Sequence, residues 1–440
     1  MILPFKSVNK FFLGVLLIIF VVSVVICGYF AVKTNFFKNT SKGDVYQEFI
    51  SESYDTIKNN YWDKISDDKL SELFRLGTEK LVALPTVLNQ NNKQGVLEMV
   101  AKATERMSAT QKKTFETNLV NIVAVNLIPF GRSSLYTQEE ERQLSNRVNN
   151  INPQTDLYKD LGASKSASQN DLKTAYDNKV QTLAPEAKTS TEAAKQLDQT
   201  QYAYNVLSNT VQKQNYDQYG IEPTVFTKDL GNGIFYLRIK ELSPDTFNEF
   251  VRLCNLTQNR TDLTSLIIDL RGNIGGSIDL LQYFLGPFIG NNRYAYDFYH
   301  QGNYNPFKTK VGWLESLVKF KKVVILVDGD VQSSAEVMVA VFKTYHVGVV
   351  VGTHTRGWGT VERVFPLKAQ FDSKEKYSLF LVHSLTLRDD GQPIQGNGVD
   401  PDINTGVPDW QQQLLPYFSD NSFANTVKTV WDTPPLYSAD

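Results

Sequence analysis

Ser333 and Ser334 stand between a short apolar run, Val323-Val324-Ile325-Leu326-Val327, and a helical pattern that includes Val337 to Phe342. A hydroxyl at such a strand-to-helix junction is exposed at a sheet edge, and a helix N-terminus favours negative charge beside it. Acyl transfer at a peptide bond needs a hydroxyl that attacks, a base that takes its proton and donors that meet the oxyanion. A serine pair in this place also serves as a helix cap, so both roles are open on the residues alone. Gly275-Gly276 follows a second apolar run, Leu266-Ile267-Ile268-Asp269-Leu270. Paired glycines after a strand make a tight turn, and they also leave backbone N–H groups bare toward a ligand. The four histidines are scattered, and no His-x-x-x-His or Cys-x-x-Cys spacing occurs, so no metal site is expected. Residues 269–276 lack the spacing of a dinucleotide fingerprint, and no cofactor is expected.

The elements that must hold these residues read as an α/β core. Ile234 to Ile239 alternates as a strand, and Phe247 to Leu256 is an amphipathic helix. The runs at 266–270, 323–327 and 347–351 suit buried strands, with helical patterns at 278–288 and 337–342 between them. Strands alternating with helices make this architecture. Upstream, Val45, Phe49, Ile50, Tyr54, Ile57 and Tyr61 recur at helical steps, and polar helical patterns continue to Asn150.

Three segments occur in one order: Asp269-Leu270-Arg271-Gly272-Asn273-Ile274-Gly275-Gly276, Gln332-Ser333-Ser334-Ala335-Glu336, and Gly352-Thr353-His354-Thr355-Arg356-Gly357-Trp358-Gly359-Thr360-Val361-Glu362. With Tyr61-Trp62-Asp63 upstream and the closing run Asp390 to Ile403, they resemble the C-terminal processing (tail-specific) serine peptidases over residues 230–410. The resemblance implies an α/β protease core, a mixed sheet with flanking helices, preceded by helical domains. It implies Ser333 as nucleophile and the amides of Gly276 and Ser334 as the oxyanion hole. Ile274 replaces the family's usual proline. In the family a lysine base stands twenty-five residues after the serine, in Gly-Lys-Gly-Thr-Val-Gln. Here Trp358 holds that position, and Glu362 holds that of the supporting glutamine. An indole nitrogen donates and does not accept. His354, four residues before Trp358, is the substitute base this loop offers, and a His354–Glu362 pair beside Ser333 would complete a triad by role. The alternative is a catalytically silent scaffold that binds peptides in the same groove.

A second unit spans residues 156–220. It opens with Leu157-Tyr158-Lys159-Asp160-Leu161-Gly162, continues through a helix capped by Ser168, and closes on Tyr216-Asp217-Gln218-Tyr219-Gly220. This unit resembles a J domain, placed where the peptidases usually carry a PDZ domain. The family's His-Pro-Asp tripeptide reads Ala184-Pro185-Glu186, so a J-like fold without stimulation of a chaperone ATPase is expected, as a helical spacer or docking module.

The 440 residues allow two or three cores, and a net charge of −2 gives no basic bias toward nucleic acid. Cys27 and Cys254 fall in different regions and imply no disulfide framework. Phe11 to Val32 carries no charge and is long enough to cross a bilayer, so one N-terminal transmembrane helix is expected at 11–32 after a short tail at 1–10. Its end, Gly28-Tyr29-Phe30-Ala31-Val32, is a poor cleavage site, which favours an uncleaved anchor. Lys6 and Lys10 before it and Lys33, Lys38 and Lys42 after it nearly balance, and a short internal tail places the rest outside the cytoplasm. The remaining divisions are a helical region at 44–150 and a C-terminal tail at 411–440. The partners expected are a polypeptide substrate and, through the anchor, the membrane.

Overall fold

The computed structural model describes residues 44–151 and 156–436; the expected anchor at 11–32 lies outside them. Among the described residues no helix is long and apolar enough to cross a membrane. Four helices open the described residues: α1 (Val45–Asn60), α2 (Asp67–Val82), α3 (Lys93–Thr104) and α4 (Ala109–Val125). Each starts at a side-chain cap, Asp44, Ser66, Asn92 and Ser108, as the polar residue before each apolar stripe dictates. Phe49, Ile50, Tyr54, Ile57, Leu70, Phe74, Val100, Leu119 and Val123 interlock as their core.

The 44–150 region is not helical throughout. Strand β1 (Ser134–Thr137) pairs with a strand of the α/β core more than two hundred residues away, and α5 (Gln138–Val148) follows it behind a capping box on Thr137. The J-like unit consists of α6 (Leu157–Leu161), α7 (Gln169–Glu186), α8 (Thr191–Ser208) and α9 (Thr210–Tyr219). Leu157, Leu161, Leu172, Ala203 and Leu207 form its core, which Phe226 of the following α/β region completes. Ala184-Pro185-Glu186 lies in the last turn of α7 rather than in the loop that follows.

From residue 225 the chain builds two sheets. The remaining elements are β2 (Val225–Asp229), β3 (Ile234–Ile239), α10 (Pro244–Asn255), β4 (Ser265–Asp269), α11 (Leu281–Ile289), β5 (Tyr294–His300), β6 (Asn303–Lys308), α12 (Glu315–Val318), β7 (Lys322–Val327), α13 (Ser334–Thr344), β8 (Val349–Gly352), β9 (Thr360–Pro366), β10 (Tyr377–Leu387), β11 (Ile403–Asn404), α14 (Leu415–Phe418) and α15 (Asn421–Trp431). Six strands form one sheet in the order β11-β8-β7-β4-β3-β2, parallel except for the β2–β3 pair. Its strands are apolar on both faces, as a parallel sheet covered on both sides requires. Leu237, Ile239, Leu266, Ile268, Ile325 and Val350 face a core that includes α10, α11 and α13. Tyr236, Ile267, Val324, Leu326 and Val351 face the other way, onto Trp410, Leu414, Phe423 and Val427. The 411–440 segment, read from sequence as a tail, thus supplies helices that cover a sheet face. The second sheet gathers on β10, which pairs antiparallel with β1, β5 and β9 and carries the N-terminal helices on Leu379 and Leu381.

Candidate active site

β3, β4, β7 and β8 run parallel, so their carboxyl ends share one side of the sheet. The loops that leave them, 240–243, 270–276, 328–333 and 353–359, converge there, where open α/β sheets place their ligands. The Asp269–Arg271 part of the first motif is architectural. Asp269 is fully buried, accepts the Tyr236 hydroxyl at 2.7 Å and pairs with Arg271 at 2.6 Å. Arg271 in turn donates to the carbonyls of Val430, Trp431 and Thr433, clamping the end of α15. Asn273 ties three loops together. Its Nδ2 donates to Ile239 O, its Oδ1 accepts Gly275 N–H at 2.8 Å, and its carbonyl accepts Gln332 N–H at 3.1 Å.

This tie presses the glycine turn against Ser333. A Cβ on Gly275 would lie 2.8 Å from Gln332 O and 2.9 Å from Ser333 Cβ, and one on Gly276 would lie 2.3 Å from Leu242 O. Their φ values of +88° and +140° also favour glycine. Ser333 itself sits at φ +58°, ψ −132°, a backbone state that L-residues avoid and that surrounding structure must impose. Among the described residues neither the Gly276 nor the Ser334 N–H has a protein acceptor, so both are available beside the hydroxyl. Ser334 Oγ donates to Gly276 O at 3.3 Å and holds the two amides in one place.

Glu336 imposes the strain. Fully buried on the first turn of α13, its carboxylate accepts Ser333 N–H at 3.1 Å, Trp358 N–H at 2.8 Å, Gly357 N–H at 2.7 Å and Thr355 Oγ1 at 2.6 Å. One carboxylate therefore fixes the serine loop against the loop that carries Trp358. The closing segment supports that loop from behind: Gly396 N–H donates to Gly357 O and Val399 N–H to Thr355 Oγ1. Two guanidiniums stack on the Trp358 indole, Arg132 at 4.4 Å and Arg356 at 4.3 Å from the ring centre. Arg132 arrives on the 128–133 turn, which Trp62 Nε1 anchors by donating to Ile128 O at 2.7 Å. It also pairs with Glu362 at 2.6 Å, and Thr360 Oγ1 donates to the same Glu362 oxygen at 2.7 Å.

The expected His354–Glu362 pair does not form. His354 Nδ1 lies 2.7 Å from Asp400, its Nε2 packs over Gly398, and Glu362 is held by Arg132. The 353–355 loop turns its imidazole outward because Thr355, not His354, enters the Glu336 cage. His346 takes a left-handed turn at the end of α13. His383 stacks on His300 across the β5–β10 pair at 4.2 Å, and burial with the neighbouring His300 and Arg363 holds it down at about 4.

Ser333, Gly275, Gly276, Trp358 and Glu362 line one open cleft of about 440 Å³. Its other walls come from elements the sequence did not connect with the site: Arg132 and Tyr136 around β1, Leu144 and Arg147 on α5, and Glu241 and Ser243 after β3. A side recess of about 230 Å³ runs past Ser334 between Leu144, Val148, Ile278, Val361 and Phe380. Glu241 was detectable only as the second of two charged residues, after Lys240, that follow the β3 run, a position that gains meaning once the strands are parallel. Cys254 is buried, its thiol pushed far up by desolvation, and takes no part. Among the described residues no cluster of His, Cys, Asp and Glu suits a metal ion.

Residues 233–405 match peptidase family S41, and residues 156–217 match the DnaJ domain. The carboxy-terminal-processing protease of Bartonella bacilliformis is 27% identical over 179 residues, 40% of this chain and 39% of that protein. The carboxy-terminal processing protease CtpA of Bacillus subtilis is 22% identical over 385 residues, 86% of this chain and 73% of that protein. A solved photosystem II D1 C-terminal processing protease superposes over 83% of this chain and 93% of its own, at 12% identity and a TM-score of 0.49.

Proposed function

We propose that this chain, in which residues 233–405 form a family S41 peptidase domain and residues 156–217 a DnaJ domain, is a serine-type peptidase that cuts polypeptides with Ser333 as nucleophile. The observation that carries this reading is the backbone of Ser333. A non-glycine residue at φ +58°, ψ −132° costs on the order of 1–3 kcal/mol, and Glu336 maintains it with two uncommitted amides alongside. A helix cap needs no such strain. Attack by Ser333 Oγ on a carbonyl seated between Gly276 and Ser334 places the developing oxyanion on their two N–H groups, the arrangement that stabilises acyl transfer.

The names of the similar proteins, and a cleft open enough for an extended chain, support C-terminal segments of polypeptides as substrates. The apolar recess beside Ser334 suits an apolar side chain next to the cut bond. The uncharged stretch from Phe11 to Val32 supports a single-pass anchor with the peptidase outside the cytoplasm. The DnaJ domain serves as a docking module. Its Ala184-Pro185-Glu186 lacks the imidazole, and helix α7 absorbs the tripeptide, which supports the absence of chaperone ATPase stimulation.

The test is cleavage of unfolded polypeptides with defined C-termini, the products mapped by mass spectrometry. Wild type should yield discrete fragments that vanish in Ser333→Ala. Fragments that persist in Ser333→Ala would remove Ser333 from the reaction. Binding without cleavage, with cleavage appearing only in Trp358→Lys, would favour a silenced peptide-binding scaffold.

A further inference from the structure

The described site has a nucleophile and oxyanion donors but no base at the lysine position. Several groups border the cleft and its recess, and each of the expected acceptors is already engaged. Trp358 has no proton-accepting nitrogen. Glu362 is held by Arg132 and Thr360, Glu336 receives four donors, and His354 faces Asp400. Asp279, at the recess, is exposed to water.

Glu241 differs from all of these. It stands two residues past the end of β3, after Lys240, and the next residue, Leu242, hydrogen-bonds across to the glycine turn: Leu242 N–H donates to Gly275 O at 2.8 Å and Ser277 N–H to Leu242 O at 2.8 Å. The Leu242 side chain enters the core, so the neighbouring Glu241 points away from it, and Glu241 lines the cleft with Ser333. Its Oε1 is buried and has no hydrogen-bond partner among the described residues. A buried carboxylate oxygen left unpaired costs stability and calls for an explanation.

Resting on the peptidase reading above, we propose that Glu241 is the catalytic base, taking the Ser333 proton across the cleft over one bridging water. As Oγ bonds to the scissile carbonyl carbon, its proton passes to that water, which gives one up to the Glu241 carboxylate. When the tetrahedral intermediate collapses, the C–N bond breaks and the proton returns to the leaving amine. A second water then deacylates Ser333 by the same relay in reverse. The surroundings favour a basic carboxylate. Desolvation pushes Glu241 above the ordinary carboxylate range, the nearby Glu222 and Glu249 add to this, and Lys240 opposes it. Arg132, Arg147 and Glu362 are the other charges on the cleft wall, and Arg132 and Glu362 are paired with each other.

The experiment is the rate of Ser333 labelling by a fluorophosphonate as a function of pH, on the full chain. The proteins are wild type, Ser333→Ala, Glu241→Gln, Glu241→Asp, Trp358→Lys and the double variant Glu241→Gln/Trp358→Lys. Wild type should label in a Ser333-dependent way, with one ionisation controlling the rate. Glu241→Gln should slow it by about 10²–10⁴-fold. Glu241→Asp should keep part of the rate. The double variant should recover, because a lysine among Arg132 and Arg356 is depressed toward neutrality and supplies its own base. A merely structural role for Glu241 predicts no recovery, and that result would overturn the proposal. So would wild-type labelling in Glu241→Gln. Labelling seen in Trp358→Lys but absent from wild type also overturns it while leaving the fold's chemistry intact. No labelling of any variant overturns the peptidase reading itself.

Discussion

Glu116 should make the N-terminal helices lose stability as the pH rises through neutrality, and Glu116→Gln should abolish that trend. The residue sits mid-way along α4, fully buried between Phe115, Leu119 and Val120. Both carboxyl oxygens are buried with no hydrogen-bond partner. Burial pushes the group up to about 9, Asp44 adds to the rise, and Lys112 partly offsets it. A carboxyl raised above its unfolded value stays protonated in the folded helix while the unfolded chain ionises. The unfolded state therefore binds fewer protons, and stability falls from the unfolded value near 4.5 up to about 9. At about 1.4 kcal/mol per pH unit, the penalty is under about 1 kcal/mol at pH 5 and about 3 kcal/mol at pH 7. Glutamine buries a similar polar group without an ionisation, so the variant should gain that difference at pH 7 and almost nothing at pH 5. Hydrogen exchange of the α4 amides, corrected for intrinsic rates at each pH, reads the local opening free energy without requiring the whole chain to unfold at once. A constant gap between wild type and Glu116→Gln from pH 5 to 8 would mean that the carboxylate ionises in place and that the burial reasoning is wrong.

His383 gives the opposite slope. Its folded value near 4 lies below the unfolded value of 6.5, so stability is full above 6.5 and declines as pH falls toward 4, by about 1 kcal/mol once solvent screening of this half-exposed ring is allowed for. Thermal melts of His383→Asn should lack that acid decline. Arg271→Met leaves Asp269 buried and uncompensated and frees the end of α15, a loss of about 3–5 kcal/mol that should appear as a lower Tm and early proteolysis near Trp431. Gly275→Ala forces a Cβ into Gln332 O and Ser333 at φ +88°; fluorophosphonate labelling should disappear while the helical circular dichroism stays close to wild type.

Much of the peptidase core was readable because its strands are short apolar runs buried on both faces, with helices between them. The runs at 266–270 and 323–327 fall within a residue of β4 and β7. The serine and glycine motifs were readable because close approach permits few residue types there. Local periodicity carries no information about distant partners, and that is where the reading failed. The pairing of β1 with β10 joins Leu135 to Leu379, and Arg132 reaches Glu362 across 230 positions. His354 lies only eight positions from Glu362 in sequence, yet its partner is Asp400, because a turn's direction depends on which neighbour fills the Glu336 cage. The helices after residue 410 were missed since their apolar stripes are short and make sense only against the second face of the sheet.

The grip of Arg271 on the carbonyls of Val430 and Thr433 spans 159 to 162 positions of chain. The strand end that leads into the glycine turn is thus steadied by residues that a ribosome reaches far later than Ser333. Until translation has passed residue 433, the emerging polypeptide holds all the reactive groups without the brace that aligns them. On the peptidase reading proposed above, a chain wired this way completes its site only once residue 433 has joined the fold.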